Sequence, residues 1–126
     1  MYTADAKVKL AGVPSALIER EGAVSRPVAL AMAEGALKKS GASWAFSITG
    51  LAGPDDGSAQ FPPVGTVWIA VVSRSKDGVS LSKARMFQFE GSRIEVQEAA
   101  AVSALQELLQ IIKENAQIEL DILDKE

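Results

Sequence analysis

The sequence predicts an α/β layered domain, with helices packed on both sides of a small sheet. Three observations point there. Trp44 to Thr49 and Thr66 to Ser73 are short and almost wholly apolar, which suits strands covered on both faces. A helical stripe of Val28, Met32 and Ala36 runs beside one of Ala29, Ala33 and Leu37. Its small residues allow close packing on a sheet. A long helix from Arg93 to Glu114 carries Val102, Leu105, Leu108, Leu109 and Ile112 on one face.

The elements follow in order. Thr3 caps a short helix over Ala4 to Leu10, with Gly12 as its stop. Pro14 opens a second, ending at Gly22. Ser25 is the N-cap of the third, with Pro27 in its first turn and Gly41 at its end. Two apolar strands come next, separated by a loop rich in Gly, Pro and Asp. Asp77-Gly78 marks a turn into a third strand, Leu81 to Glu90, which Gly91-Ser92 breaks. The long helix follows. Residues 115–126 form a C-terminal tail, in which Ile118, Leu120 and Ile122 alternate like a strand while Ile118 and Ile122 also fit a helical stripe.

Composition narrows the chemistry. The chain has 126 residues, enough for one domain. The net charge of −3, with no Lys/Arg cluster, lacks the footprint of a nucleic-acid binder. There is no Cys and no His, which removes thiol nucleophiles, disulfides, thiolate zinc sites and every imidazole-based triad. A general base must be Asp, Glu, Lys, Tyr or the amino terminus. Neither a signal peptide nor a run of membrane-spanning length is visible, and with the missing cysteines this favours a cytoplasmic location.

The loop from Thr49-Gly50 to Gly65 admits two readings. A Thr hydroxyl, free backbone N–H groups and the glycines Gly50, Gly53 and Gly57 can cradle a phosphate or carboxylate at a strand end. Equally, Pro54, Asp55-Asp56-Gly57 and Pro62-Pro63 are turn chemistry. No Gly-Lys-Ser/Thr follows, so the loop is not a Walker A motif.

Several motifs resemble one family. They are Tyr2-Thr3-Ala4-Asp5-Ala6-Lys7, Gly22-Ala23-Val24-Ser25, Ala31-Met32-Ala33-Glu34-Gly35-Ala36, Thr49-Gly50 with Ala52-Gly53-Pro54, Pro63-Val64-Gly65-Thr66-Val67, and Phe89-x-Gly91-x-Arg93. In order and spacing they resemble the C-terminal domain of the CinA family, the nicotinamide mononucleotide deamidases. The resemblance covers residues 1–114 and implies a three-layer α/β/α sandwich. It also implies hydrolysis of nicotinamide mononucleotide to nicotinate mononucleotide and ammonia, with no cofactor and no metal. Thr49, Gly50, Ala52, Gly53 and Arg93 would then bind substrate, with Lys7 and Tyr2 on the catalytic side.

The family also carries a Glu-Ser-Cys-Thr-Gly-Gly segment upstream of its Tyr motif, whose Ser is the nucleophile partnered by a Lys base. No such segment occurs in this chain. Ala4, Pro62 and Gln97 replace the family's Asn, a basic residue and an Arg. The implied sheet is therefore shortened at one side. Three functions stay open: a nucleotide-binding domain without turnover, a deamidase completed by upstream residues, or a non-catalytic interaction module. A shortened sheet leaves an edge and apolar helix faces uncovered, so a homo-oligomer is expected, or a tail that fills the gap.

Overall fold

The computed structural model describes Lys7 and residues 11–53, 61–75 and 78–124. Apart from Lys7, which is helical, the expected first helix lies outside the described residues. Helix α1, Ser15–Glu21, starts after Pro14 and stops at Gly22. Helix α2, Arg26–Ser40, is capped by the Ser25 hydroxyl, which accepts from the Val28 amide, and ends at Gly41 in the left-handed region. Strands β1 (Trp44–Gly50), β2 (Thr66–Ser75) and β3 (Gly78–Gln88) follow, and then helix α3, Arg93–Asp124.

The three strands form an antiparallel sheet in the order β1-β2-β3. The central strand is buried almost throughout, from Thr66 to Ser73, because both its faces are covered. On one side Ala70 and Val72 meet Ala29, Ala33 and Leu37 of α2. On the other, Val67 and Ile69 meet Val96, Ala100 and Ala104 of α3. This alternation is the period-two signature of a strand between two layers, so the α/β/α arrangement holds. A third cluster, Ala11, Val13, Val28 and Met32, fixes the segment before α1 onto α2.

Gly35 shows why α2 must be so smooth. A β-carbon there would lie 1.6 Å from the Ala11 carbonyl oxygen and 2.7 Å from its carbon. The helix and the incoming backbone touch directly. Across the helix, the buried Ser47 hydroxyl of β1 donates to the Ala29 carbonyl at 2.6 Å.

The structure decides between the two readings of the tail and carries the last helix beyond Glu114. The tail is not a strand: α3 runs unbroken through Glu114 to Asp124. From Arg93 onward the sequence has neither Gly nor Pro to stop a helix. The face packed on the sheet is also not the leucine face. Val96, Ala100, Ala104 and Ile111 are buried, whereas Val102, Leu105, Leu109 and Ile112 stand in solvent. The bulky Val67 and Ile69 of β2 already fill this layer, so the helix approaches through alanines.

The start of α3 is a reciprocal cap. The Ser92 hydroxyl accepts from the Glu95 amide at 3.2 Å, and the Glu95 carboxylate accepts from the Ser92 amide at 3.0 Å. These bonds hold the Glu95 carboxyl below its ordinary range. Among the described residues, no helix is long and apolar enough to cross a membrane.

Candidate functional site

A cavity of about 500 Å³ opens between the end of β1, the residues after it and the first turns of α3. That volume is in the range of small-molecule sites, roughly 300–1,000 Å³. Lys7, Thr49, Gly50, Ala52, Gly53 and Arg93 all line it. Residues 42 positions apart in the sequence, Lys7 and Thr49, thus face one space. Tyr2 lies outside the described residues.

Each wall has a local cause. Thr49 is the buried penultimate residue of β1, and its hydroxyl donates to the Ala23 carbonyl at 2.8 Å. That proton is committed, so toward the cavity the oxygen offers only acceptor capacity. Here the structure departs from a Thr hydroxyl that donates to a phosphate. The bond instead ties the Gly22–Ser25 turn to the strand. Replacing Thr49 by Val should leave a half-buried carbonyl without this donor and destabilise the fold by about 1 kcal/mol. The shift in urea midpoint at constant slope measures it, and an unchanged midpoint would refute the tie.

Beyond Gly50 the chain turns through Gly53, whose φ of 98° suits glycine. The Gly53 carbonyl accepts from the Arg93 guanidinium at 2.9 Å. Arg93 therefore stands at the cavity wall with one edge fixed to the turn. The Leu51 carbonyl accepts from the Gly65 amide at 2.6 Å, which closes the base of the loop. Residues 54–60, with Asp55, Asp56 and Gly57, lie outside the described residues.

Lys7 is 5% exposed, and its carbonyl accepts from the Val13 amide at 3.1 Å. Burial pushes its ammonium down from the ordinary value of 10.5, because the charged form loses hydration. The sign of the linked stability follows. The unfolded chain holds this proton to higher pH than the folded one, so folding gains stability as pH rises from the lowered value toward 10.5. Lys7→Met lacks that gain. Its stability relative to the parent should fall over the same interval in paired urea titrations, and a constant difference would refute the shift.

Gln97, Val64, Leu51, Ala23 and Val24 complete much of the lining and were not singled out from the sequence as site residues. Gln97 had a signal: it follows Arg93 by four, one helical turn on the same face. Ala23 and Val24 stood in the Gly22–Ser25 motif, but nothing in their chemistry marked them as a wall.

A model of the CinA C-terminal domain matches residues 1–112. A nicotinamide-nucleotide amidohydrolase, PncC, of Escherichia coli is 42% identical over 114 residues, which are 90% of this chain and 66% of that protein. A CinA-like protein of Geotalea daltonii is 44% identical over 104 residues, 82% of this chain and 24% of the relative. Among solved structures, a competence/damage-inducible protein of Agrobacterium tumefaciens superposes with a TM-score of 0.73 at 40% identity, covering 87% of this chain and 64% of that one. A CinA superfamily protein of Escherichia coli gives 0.75 at 34% identity, with 86% and 60% covered. The fold is that of a layered α/β domain with a cavity at the end of β1. The chain belongs to the CinA C-terminal domain family. It spans less than two thirds of the length of these relatives, and about a quarter of the CinA-like protein.

Proposed function

We propose that this chain holds a nicotinamide nucleotide, nicotinamide mononucleotide first of all, in the cavity between β1 and α3. We propose further that its described residues do not by themselves turn the nucleotide over. The observation that supports this reading is the composition of the cavity wall. It has two cationic residues, Lys7 and Arg93, a glycine-bearing backbone turn and apolar walls. Its one hydroxyl among the described residues, Thr49, already gives its proton to Ala23.

Cleaving a carboxamide to a carboxylate and ammonia needs an attacking oxygen and a base that takes its proton. Lys7 lines the cavity and is of the residue type that can act as such a base, and burial pushes its ammonium down from the ordinary value of 10.5. Among the described residues that line the cavity, the one hydroxyl is that of Thr49, whose proton goes to Ala23. Arg93 carries the fixed charge suited to a phosphate. The PncC relative is named for amide hydrolysis of nicotinamide nucleotides, and that supports the choice of ligand.

The state of Lys7 favours a second reading, a complete hydrolase in which residues beyond this chain supply the oxygen. An ammonia-release assay separates the two. With nicotinamide mononucleotide in excess, the chain alone should release ammonia no faster than buffer. Turnover that disappears in Lys7→Met would refute the proposal and establish the hydrolase.

A further inference from the structure

Helix α3 is apolar on two opposite faces. Val96, Ala100, Ala104 and Ile111 face the sheet. Val102, Leu105, Leu109, Ile112, Ala116, Leu120 and Leu123 recur at intervals of three and four. At 100° per residue these seven fall within an arc of about 80°, on the far side of the helix. They are exposed: Leu105 by 59%, Leu109 by 54% and Leu123 by 63%. Residues 102, 109 and 116 are spaced by seven, with 105 and 112 between them, which is the seam of a coiled coil; the next position of the second series is Glu119. After Ile111 no described side chain of the helix is buried. The last thirteen residues of α3 therefore project without cover from the other described residues, although a free helix of that length is marginal in water.

We infer that this stripe is the interface with a second copy of the chain, paired antiparallel about a two-fold axis near Glu107. From residue 99 to residue 112 the outward positions Ala99, Ala101, Val102, Leu105, Gln106, Leu108, Leu109 and Ile112 bear no charge. This uncharged stretch, bounded on the same stripe by Glu98, is its own complement. Antiparallel pairing sets Leu105 against Leu109 of the second copy, Val102 against Ile112, and Ile94, itself 66% exposed, against Leu120. It also brings Glu98 within one turn of Lys113 of the second copy, whereas parallel pairing would set Glu98 against Glu98. Contact along about 30 Å of helix hides on the order of 1,200 Å² in total, the lower end of stable interfaces.

The natural absence of Cys makes the test clean. Sedimentation equilibrium should show a dimer for the parent chain at about 100 μM, and Leu105→Glu with Leu109→Glu should weaken it at least 100-fold. Both positions are exposed, so the far-ultraviolet circular dichroism of that variant should still report a helical fold. In oxidising buffer Val102→Cys mixed with Ile112→Cys should cross-link, and neither should do so alone. A parent chain that stays monomeric at that concentration overturns the interface and leaves the stripe to another protein segment. Equal dimerisation of the Glu variant also overturns it, and cross-linking of Val102→Cys alone overturns the antiparallel order.

Discussion

Replacing Gly35 by alanine is expected to destabilise the protein by about 3 kcal/mol, a large fraction of the stability of a domain this size. The direction is diagnostic. On an open helix surface the same change would stabilise by up to about 1 kcal/mol, since alanine is the better helix former. Here the new β-carbon meets backbone, 1.6 Å from the Ala11 carbonyl oxygen, and no rotamer relieves it. The segment carrying Ala11 and Val13 must lift from Val28 and Met32. Lys7 moves with it, because its carbonyl is bonded to the Val13 amide. The variant should lose core stability and the cavity wall together. Urea unfolding measures the first, and an unchanged or raised midpoint would contradict the contact.

The second large effect is expected at Arg93. Arg93→Ala should weaken binding of nicotinamide mononucleotide by roughly 10–100-fold, the worth of a charge-assisted contact of about 1.5–3 kcal/mol. Two losses combine in that figure. The cation facing the ligand disappears, and so does the bond that holds the Gly53 carbonyl. Arg93→Lys separates them, since it keeps charge but loses the planar fork. It should fall between parent and Ala. Equal affinity in all three would remove Arg93 from the site.

Much of this architecture was legible in residue patterns. The Ser25 cap with Pro27, the Gly41 stop and the alanine stripe of α2 all follow from local chemistry that tertiary contacts reinforce. The two apolar strands announced a sheet covered on both faces, as Ala70 and Val67 of β2 show. The cavity residues Thr49, Gly50, Ala52, Gly53, Arg93 and Lys7 were all named from motifs, but their convergence was not visible. Lys7 shares the cavity with the end of β1, and the backbone ahead of α1 that carries it lies against Gly35.

Which face of α3 meets the sheet was not legible, for a physical reason. Hydrophobic periodicity finds the larger apolar face, and Leu105, Leu109 and Ile112 make one. Which face meets the sheet depends on volume. Val67 and Ile69 pack against Val96, Ala100 and Ala104, the smaller apolar face. The reciprocal cap of Ser92 and Glu95 was readable as Ser-x-x-Glu, and the Gly91-Ser92 break drew attention away from it. Thr49 misled in the other direction. Its position at a strand end suggested a donor for a ligand, but the Ala23 carbonyl that takes the proton comes from a turn 26 residues away.

Calorimetric titration of the folded chain with nicotinamide mononucleotide tests the proposed nucleotide pocket most directly. One saturable site is expected, with a dissociation constant between about 1 μM and 1 mM. The heat should be that of binding alone, and Arg93→Ala should shift the constant at least tenfold. A chain whose circular dichroism is intact, yet which gives no saturable heat up to about 10 mM nucleotide, would contradict the account.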